Sequence, residues 1–252
     1  MATVLLLHSH GMSARQWRRL ERALVERGDR AVVPDLLGHG SAPPWPDGVP
    51  VHFHHEVAAL APHLTEAGER VHLIGHSYGG LLALQLAAAH PGAVASLAVY
   101  DPVAWGVIAG DDDPAVRADA ARVHFGWSDD PDRQRAWFRG FVDYWQGVGA
   151  WDQLRPENRA EFERVGRVIH DGARALVADR TPASAYAGIA APALLMTGTE
   201  TPVTERRVVD MLAATLPRAR LEVIEGAGHM GPLTHPEPIW RSILALLAST
   251  RA

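Results

Sequence analysis

Ser77 lies in the hexapeptide Gly75-His76-Ser77-Tyr78-Gly79-Gly80, between an aliphatic run, Val71-His72-Leu73-Ile74, and a helical pattern reaching His90. A serine with a glycine two residues to either side, preceded by a strand and followed by a helix, has the G-x-S-x-G pattern of a nucleophile held on a sharp turn. Such a turn forces the serine into an unfavourable backbone conformation, and Gly75 and Gly79 leave room for it. Ser77 Oγ then stands above the carboxyl end of the strand, at a helix N-terminus whose dipole favours negative charge. A serine hydroxyl also needs a base to take its proton. Of the fourteen histidines, His229 follows the last predicted strand in the glycine-flanked loop Gly226-Ala227-Gly228-His229, where a base can reach across to the serine. His90 and His235 adjoin prolines at helix boundaries and read as structural. The oxyanion formed by attack on a carbonyl needs backbone donors. The N–H of Tyr78 is one, and that of His10, in the turn His8-Ser9-His10-Gly11, is the other.

Groups so far apart in the chain can meet only at strand ends. Short aliphatic runs at 3–8, 31–35, 71–75, 96–101, 193–198 and 221–225 predict strands, and 14–27, 55–67, 79–90, 205–216 and 238–248 predict helices. Runs apolar on both faces suit a covered parallel sheet, and their alternation with helices predicts a doubly wound α/β fold with a mostly parallel sheet. No strand pattern occurs between 104 and 188, where 115–125, 131–145 and 156–180 read as helices. The expected organisation is a core of 1–103 and 189–252 interrupted by a helical insertion. Trp105, Phe125, Trp127, Trp137, Phe138, Phe141, Tyr144, Trp145 and Trp151 fall in that insertion. Some are expected to glue its helices together, and others to line an apolar pocket over the site, as a lid would.

The 252 residues are 47% hydrophobic and 21% charged, without cysteine, so disulfides, a thiol nucleophile and a thiolate zinc site are excluded. The net charge is −5 and no basic run could track a phosphate backbone, which argues against a nucleic-acid partner. No apolar run approaches the ~20 residues of a membrane span, and the N-terminus reads as a buried strand rather than a signal peptide, so a cytoplasmic location is expected. His52, His54, His55 and Glu56 sit at a helix start without the spacing of a metal motif. Gly38-His39-Gly40 reads as a turn near the pocket rim, and Asp111-Asp112-Asp113 as a solvated helix cap.

Over nearly its whole length the chain resembles the α/β-hydrolase superfamily. The residues that carry the resemblance are His8-Ser9-His10-Gly11 with Trp17, Asp35 to Ser41, Gly75 to Gly80, and Gly226 to His229. His8-Ser9 stands where the superfamily usually has His-Gly. The antiparallel edge hairpin common in the family is expected to be missing, because the chain begins at the strand ending in His8. The resemblance makes the insertion a cap domain and implies neither a cofactor nor a metal.

The family usually places the acid that orients the histidine after the strand read here as 193–198, in a Gly-x-x-Asp-Pro pattern. This chain has Gly198-Thr199-Glu200-Thr201-Pro202, so threonine occupies the acid position. Some haloalkane dehalogenases of the superfamily take the acid from the strand end after the nucleophile, which here is Asp101 before Pro102. Asp101 is therefore taken as the acid, with Glu200 as the alternative. Those dehalogenases use an aspartate in the elbow, whereas Ser77 points to acyl transfer. The expectation is a serine hydrolase that cleaves a small to medium, largely apolar carboxylic ester through an acyl-enzyme, its partner a small molecule rather than nucleic acid or membrane. Carbon–carbon, lactone or thioester hydrolysis, or a ligand-binding receptor retaining the triad, are the alternatives on the same fold.

Overall fold

Strands form where the aliphatic runs are covered on both faces. In the computed structural model, which describes residues 1–123 and 130–250, these are β1 (Thr3–Leu7), β2 (Arg30–Val32), β3 (Val71–His76), β4 (Val94–Tyr100), β5 (Ala193–Gly198) and β6 (Ala219–Ile224). They make one sheet of order β2-β1-β3-β4-β5-β6 in which every neighbouring pair is parallel. No antiparallel hairpin flanks it among the described residues. β2 stops short of its predicted end: Pro34 has no N–H to give a ladder.

The helices, in chain order, are α1 (Arg18–Glu26), α2 (Phe53–Leu60), α3 (Pro62–Thr65), α4 (Tyr78–Ala89), α5 (Pro114–Ala120), α6 (Pro131–Gln146), α7 (Ala150–Gln153), α8 (Pro156–Ala178), α9 (Val203–Thr215), α10 (Gly231–Thr234) and α11 (Pro236–Ser249). Alternate strand residues serve opposite faces, as the period of two demands. Val4, Leu6, Ile74, Ala98, Leu194 and Met196 pack on α1 and α11 through Leu20, Leu24, Ile239 and Ile243, joined by Trp17 just before α1. Leu5, Leu7, Leu73, Leu97, Val99 and Leu195 pack on α2, α4 and α9 through Phe53, Leu81, Leu84, Val208 and Leu212. The sheet is therefore doubly wound. The single helix predicted over 55–67 is two, α2 and α3, because Pro62 opens a new first turn.

Helices α5 to α8 lie between β4 and β5, with no strand among the described residues there. They hold a small core of their own, in which Trp137, Phe138, Trp151, Phe162, Val165 and Ile169 pack together. Phe125 and Trp127 lie outside the described residues. A buried polar seam ties these helices to the sheet. Asp119 of α5 accepts from the N–H and hydroxyl of Thr204 on α9 (3.1 and 2.7 Å), and Tyr144 of α6 bonds the same hydroxyl. Glu205 of α9 accepts from the Trp105 indole.

Register does the positioning. His76 of β3 pairs with Tyr100 of β4, so the next residues, Ser77 and Asp101, leave the sheet side by side at its carboxyl edge. Sheet order reverses beside β1, where β2 lies on one side and β3 on the other, and in open α/β sheets the crevice at such a point is where ligands bind.

Candidate active site

Among the described residues, Ser77 (φ 55°) and Asp101 (φ 43°) are the only non-glycine residues with positive φ. Left-handed backbone costs of order 1–3 kcal/mol at such residues and persists only where surrounding structure imposes it. At Ser77 the imposition is visible. Its N–H donates to Tyr100 O (3.0 Å), and its carbonyl accepts from Leu81 N–H (3.1 Å), the start of α4. The chain therefore turns from strand to helix in one residue. A Cβ on Gly75 would run into the backbone of Gly79 and Gly80, and one on Gly79 into the carbonyls of Leu7 and His8. The two glycines thus let α4 lie against both β3 and β1.

The side chains at this corner form one hydrogen-bonded line. His229 Nε2 lies 3.0 Å from Ser77 Oγ, and His229 Nδ1 lies 3.2 Å from Asp101 Oδ2. Glu200, the other carboxylate considered, is exposed. Thr201, at the position where an acid was expected, donates its hydroxyl to Asp101 Oδ2 (2.9 Å) and accepts from Gly198 N–H (3.1 Å). The threonine thus holds a carboxylate that comes from the neighbouring strand. Sequence reading missed this role, although a hydroxyl one strand from an orphan carboxylate was the available signal. Tyr100 holds the loop that carries His229, its hydroxyl donating to Gly228 O at 2.8 Å.

Asp101 and His229 are both buried. Burial pushes the Asp101 carboxyl up to about 8, against the pull of the Thr197 and Thr201 hydroxyls. Burial also pushes the His229 imidazole down, to about 3. Both directions have one cause, the cost of charge in a dry site, and they keep the imidazole neutral and able to accept a proton.

His10 and Tyr78, the residues expected to supply backbone donors, both line the same cavity as Ser77. Tyr78 opens α4, so the helix offers no partner to its N–H. Ser9 to Met12 form a turn closed by Met12 N–H on Ser9 O (3.2 Å), with Gly11 at φ 71°. That bond leaves the N–H of His10 unused by the turn. His8 fixes the turn from below. Its Nε2 accepts from Leu36 N–H (3.0 Å), so its Nδ1–H is the donor to Ser9 O (2.8 Å).

Ser77, Tyr78, His10 and His229 open into a cavity of about 890 Å³. Its walls come from the insertion: Trp105, Phe141, Trp145, Leu154 and Phe162 line it, while Gly40 and Ser41 sit at its rim. The Trp145 ring stacks on the His229 imidazole, with centroids 4.2 Å apart and planes at 29°. Trp137, Phe138 and Trp151 pack inside the insertion instead, so the aromatics divide between glue and lining. Among the described residues, no three His, Asp or Glu side chains gather as metal ligands. His52 caps α2 by accepting from His54 N–H, and Asp113 caps α5 by accepting from Ala115 N–H.

A family model described as the alpha/beta hydrolase family matches residues 4–241. The chain belongs to the α/β hydrolase family. Its similarity to named relatives is graded by length. A lipase, LipV, of Mycobacterium tuberculosis is 43% identical over 102 residues, which is 40% of this chain and 37% of that protein. A pimeloyl-[acyl-carrier protein] methyl ester esterase of Edwardsiella ictaluri is 29% identical over 248 residues, or 93% of this chain and 89% of that protein. Among solved structures, the esterase RhEst1 from Rhodococcus sp. ECU1013 superposes with a TM-score of 0.75 at 21% identity, covering 99% of this chain and 91% of that one. That likeness speaks for the α/β hydrolase fold alone. No helix among the described residues of this α/β hydrolase is long and apolar enough to cross a membrane.

Proposed function

We propose that the protein is a serine hydrolase that cleaves a small to medium, largely apolar carboxylic ester through an acyl-enzyme. The observation that carries this reading is the Ser77–His229–Asp101 line, at 3.0 and 3.2 Å, on the floor of a largely apolar cavity. Ser77 Oγ attacks the ester carbonyl while His229 Nε2 takes its proton. Asp101 keeps Nδ1–H pointed inward and balances the imidazolium as it forms. The N–H groups of His10 and Tyr78 hold the oxyanion, a contribution worth ~3 kcal/mol for each donor. His229 then gives its proton to the leaving alkoxide, and a water activated by the same ring releases the acid.

In this reading residues 104–188 are the cap and the rest is the catalytic core, so the insertion sets which acyl or alkyl group fits. Two lines of support bear on the substrate. The cavity size lies within the range of small-molecule sites, and relatives along the full chain and in part carry the names methyl ester esterase and lipase. Serine rather than aspartate at position 77 favours acyl transfer over alkyl displacement. The test is hydrolysis of p-nitrophenyl esters from acetyl to decanoyl by the wild type and by Ser77→Ala. Turnover with a chain-length optimum, lost in the variant, is expected. Equal rates for the two proteins across the series would overturn the proposal.

A further inference from the structure

His76 precedes Ser77 and is fully buried, and its ring lies against that of His229, with centroids 5.1 Å apart. Its ring joins two parts of the site that lie far apart in the chain. Nε2 is 2.8 Å from the backbone carbonyl of His229, and Nδ1 is 3.1 Å from Gln16 Nε2. Gln16 Oε1 in turn receives the Ser9 N–H (3.1 Å) and the Ser9 hydroxyl (3.0 Å). Gln16 and Ser9 are buried too.

The direction of every bond in this line is fixed from both ends. A backbone N–H only donates, so the Gln16 atom facing Ser9 is the oxygen, and the atom facing His76 is the NH₂. A backbone carbonyl only accepts, so His76 Nε2 carries the hydrogen facing His229 O. Neutral His76 then has a bare Nδ1, which is what the Gln16 NH₂ requires. The two ends, 220 residues apart in sequence, demand the same tautomer. Burial and the neighbouring His229 keep His76 neutral by pushing its imidazole well below the ordinary value.

We infer that Gln16 and His76 are positioning residues: the Gln16 amide, oriented by Ser9, locks His76 in the tautomer that holds the backbone of His229, so that the turn presenting His10 N–H and the loop presenting the base are kept in register across Ser77. The inference rests on the hydrolase reading given above. It also gives a reason for Ser9 where glycine is usual, since the hydroxyl adds a second donor to the same Gln16 oxygen.

The variant that isolates the relay is Gln16→Met, which keeps the length and bulk of the side chain. Its thioether has no hydrogen for Nδ1 and carries no charge that burial could neutralise. Nothing then fixes the bare Nδ1 of His76, and the hold of Nε2–H on His229 O is loosened. The expected result is a fall in kcat of about ten- to hundred-fold with KM unchanged, as for a sub-ångström to ångström misplacement of reacting groups. The second measurement is ¹⁵N NMR of the His76 ring in the wild type, which should show hydrogen on Nε2 and a bare Nδ1. It needs no turnover, so it tests the relay even if no ester is hydrolysed and the functional reading falls. A wild-type His76 protonated on Nδ1, or a folded Gln16→Met variant with wild-type kcat, would overturn the inference.

Discussion

At the residue scale, the left-handed backbone at Ser77 and Asp101 marks the pair the proposed chemistry relies on. Asp101→Asn keeps the shape and removes the charge, and steady-state kinetics should show kcat lower by about 10⁴. Glu200→Gln, at an exposed position, should leave kcat at the wild-type value. Thr201→Val removes the hydroxyl donated to Asp101. A hydrogen bond to a charged group is worth ~1.5–3 kcal/mol, so kcat should fall by about tenfold or more. The pH profile follows from burial. The active form has Asp101 ionised and His229 neutral, and the pair is better treated as one titrating unit. Burial raises the Asp101 carboxyl to about 8, so the pair holds its extra proton below that pH and releases it above. kcat/KM should therefore climb with pH to a plateau above about 8, and a plateau already reached at the ordinary histidine value of ~6.5 would contradict this account.

At the element scale, the corner between β3 and α4 works only because two glycines let backbones touch. Gly79→Ala drives a methyl group into the carbonyls of Leu7 and His8. Overpacking of this kind costs about 1–3 kcal/mol or more, which thermal unfolding will show as a lowered Tm. Trp145 of α6 reaches from the insertion onto the His229 ring. Stacked aromatic pairs are worth ~0.5–1.5 kcal/mol beyond their area, so Trp145→Ala should lower kcat by about two- to tenfold and shift the preferred p-nitrophenyl ester to longer chains. Much of this level was legible in the sequence. Strand, glycine-flanked serine and helix follow one another in 71–90, and a glycine-rich loop after the last strand singles out His229 among fourteen histidines. What was not legible depends on register and on contacts across the sheet. The reach of Gly79 to β1 is set by how α4 lies, and the service of Thr201 to Asp101 by β4 pairing with β5. The Gln16–His76 line is set by atoms whose direction only the folded backbone reveals.

At the scale of the whole molecule, a fully parallel six-stranded sheet brings the ends of β1, β3, β4 and β5 to one edge, and the loop after β6 closes over them. Each strand end contributes one part: the His10 turn, Ser77, Asp101, Thr201 and His229. The fold class could be read because continuous aliphatic runs alternate with helices along both ends of the chain, and the insertion because that alternation lapses between 104 and 188. The division of its aromatics between internal core and cavity wall could not be read, since spacing gives a face but not what lies against it. The most direct test of the central claim is the reaction of the protein with a fluorophosphonate, read by mass spectrometry of the intact chain and its peptides. The account predicts one adduct per chain, on Ser77, forming much more slowly in Asp101→Asn and His229→Ala. An adduct on another residue, or labelling of Ser77 at the same rate in all three proteins, would contradict it.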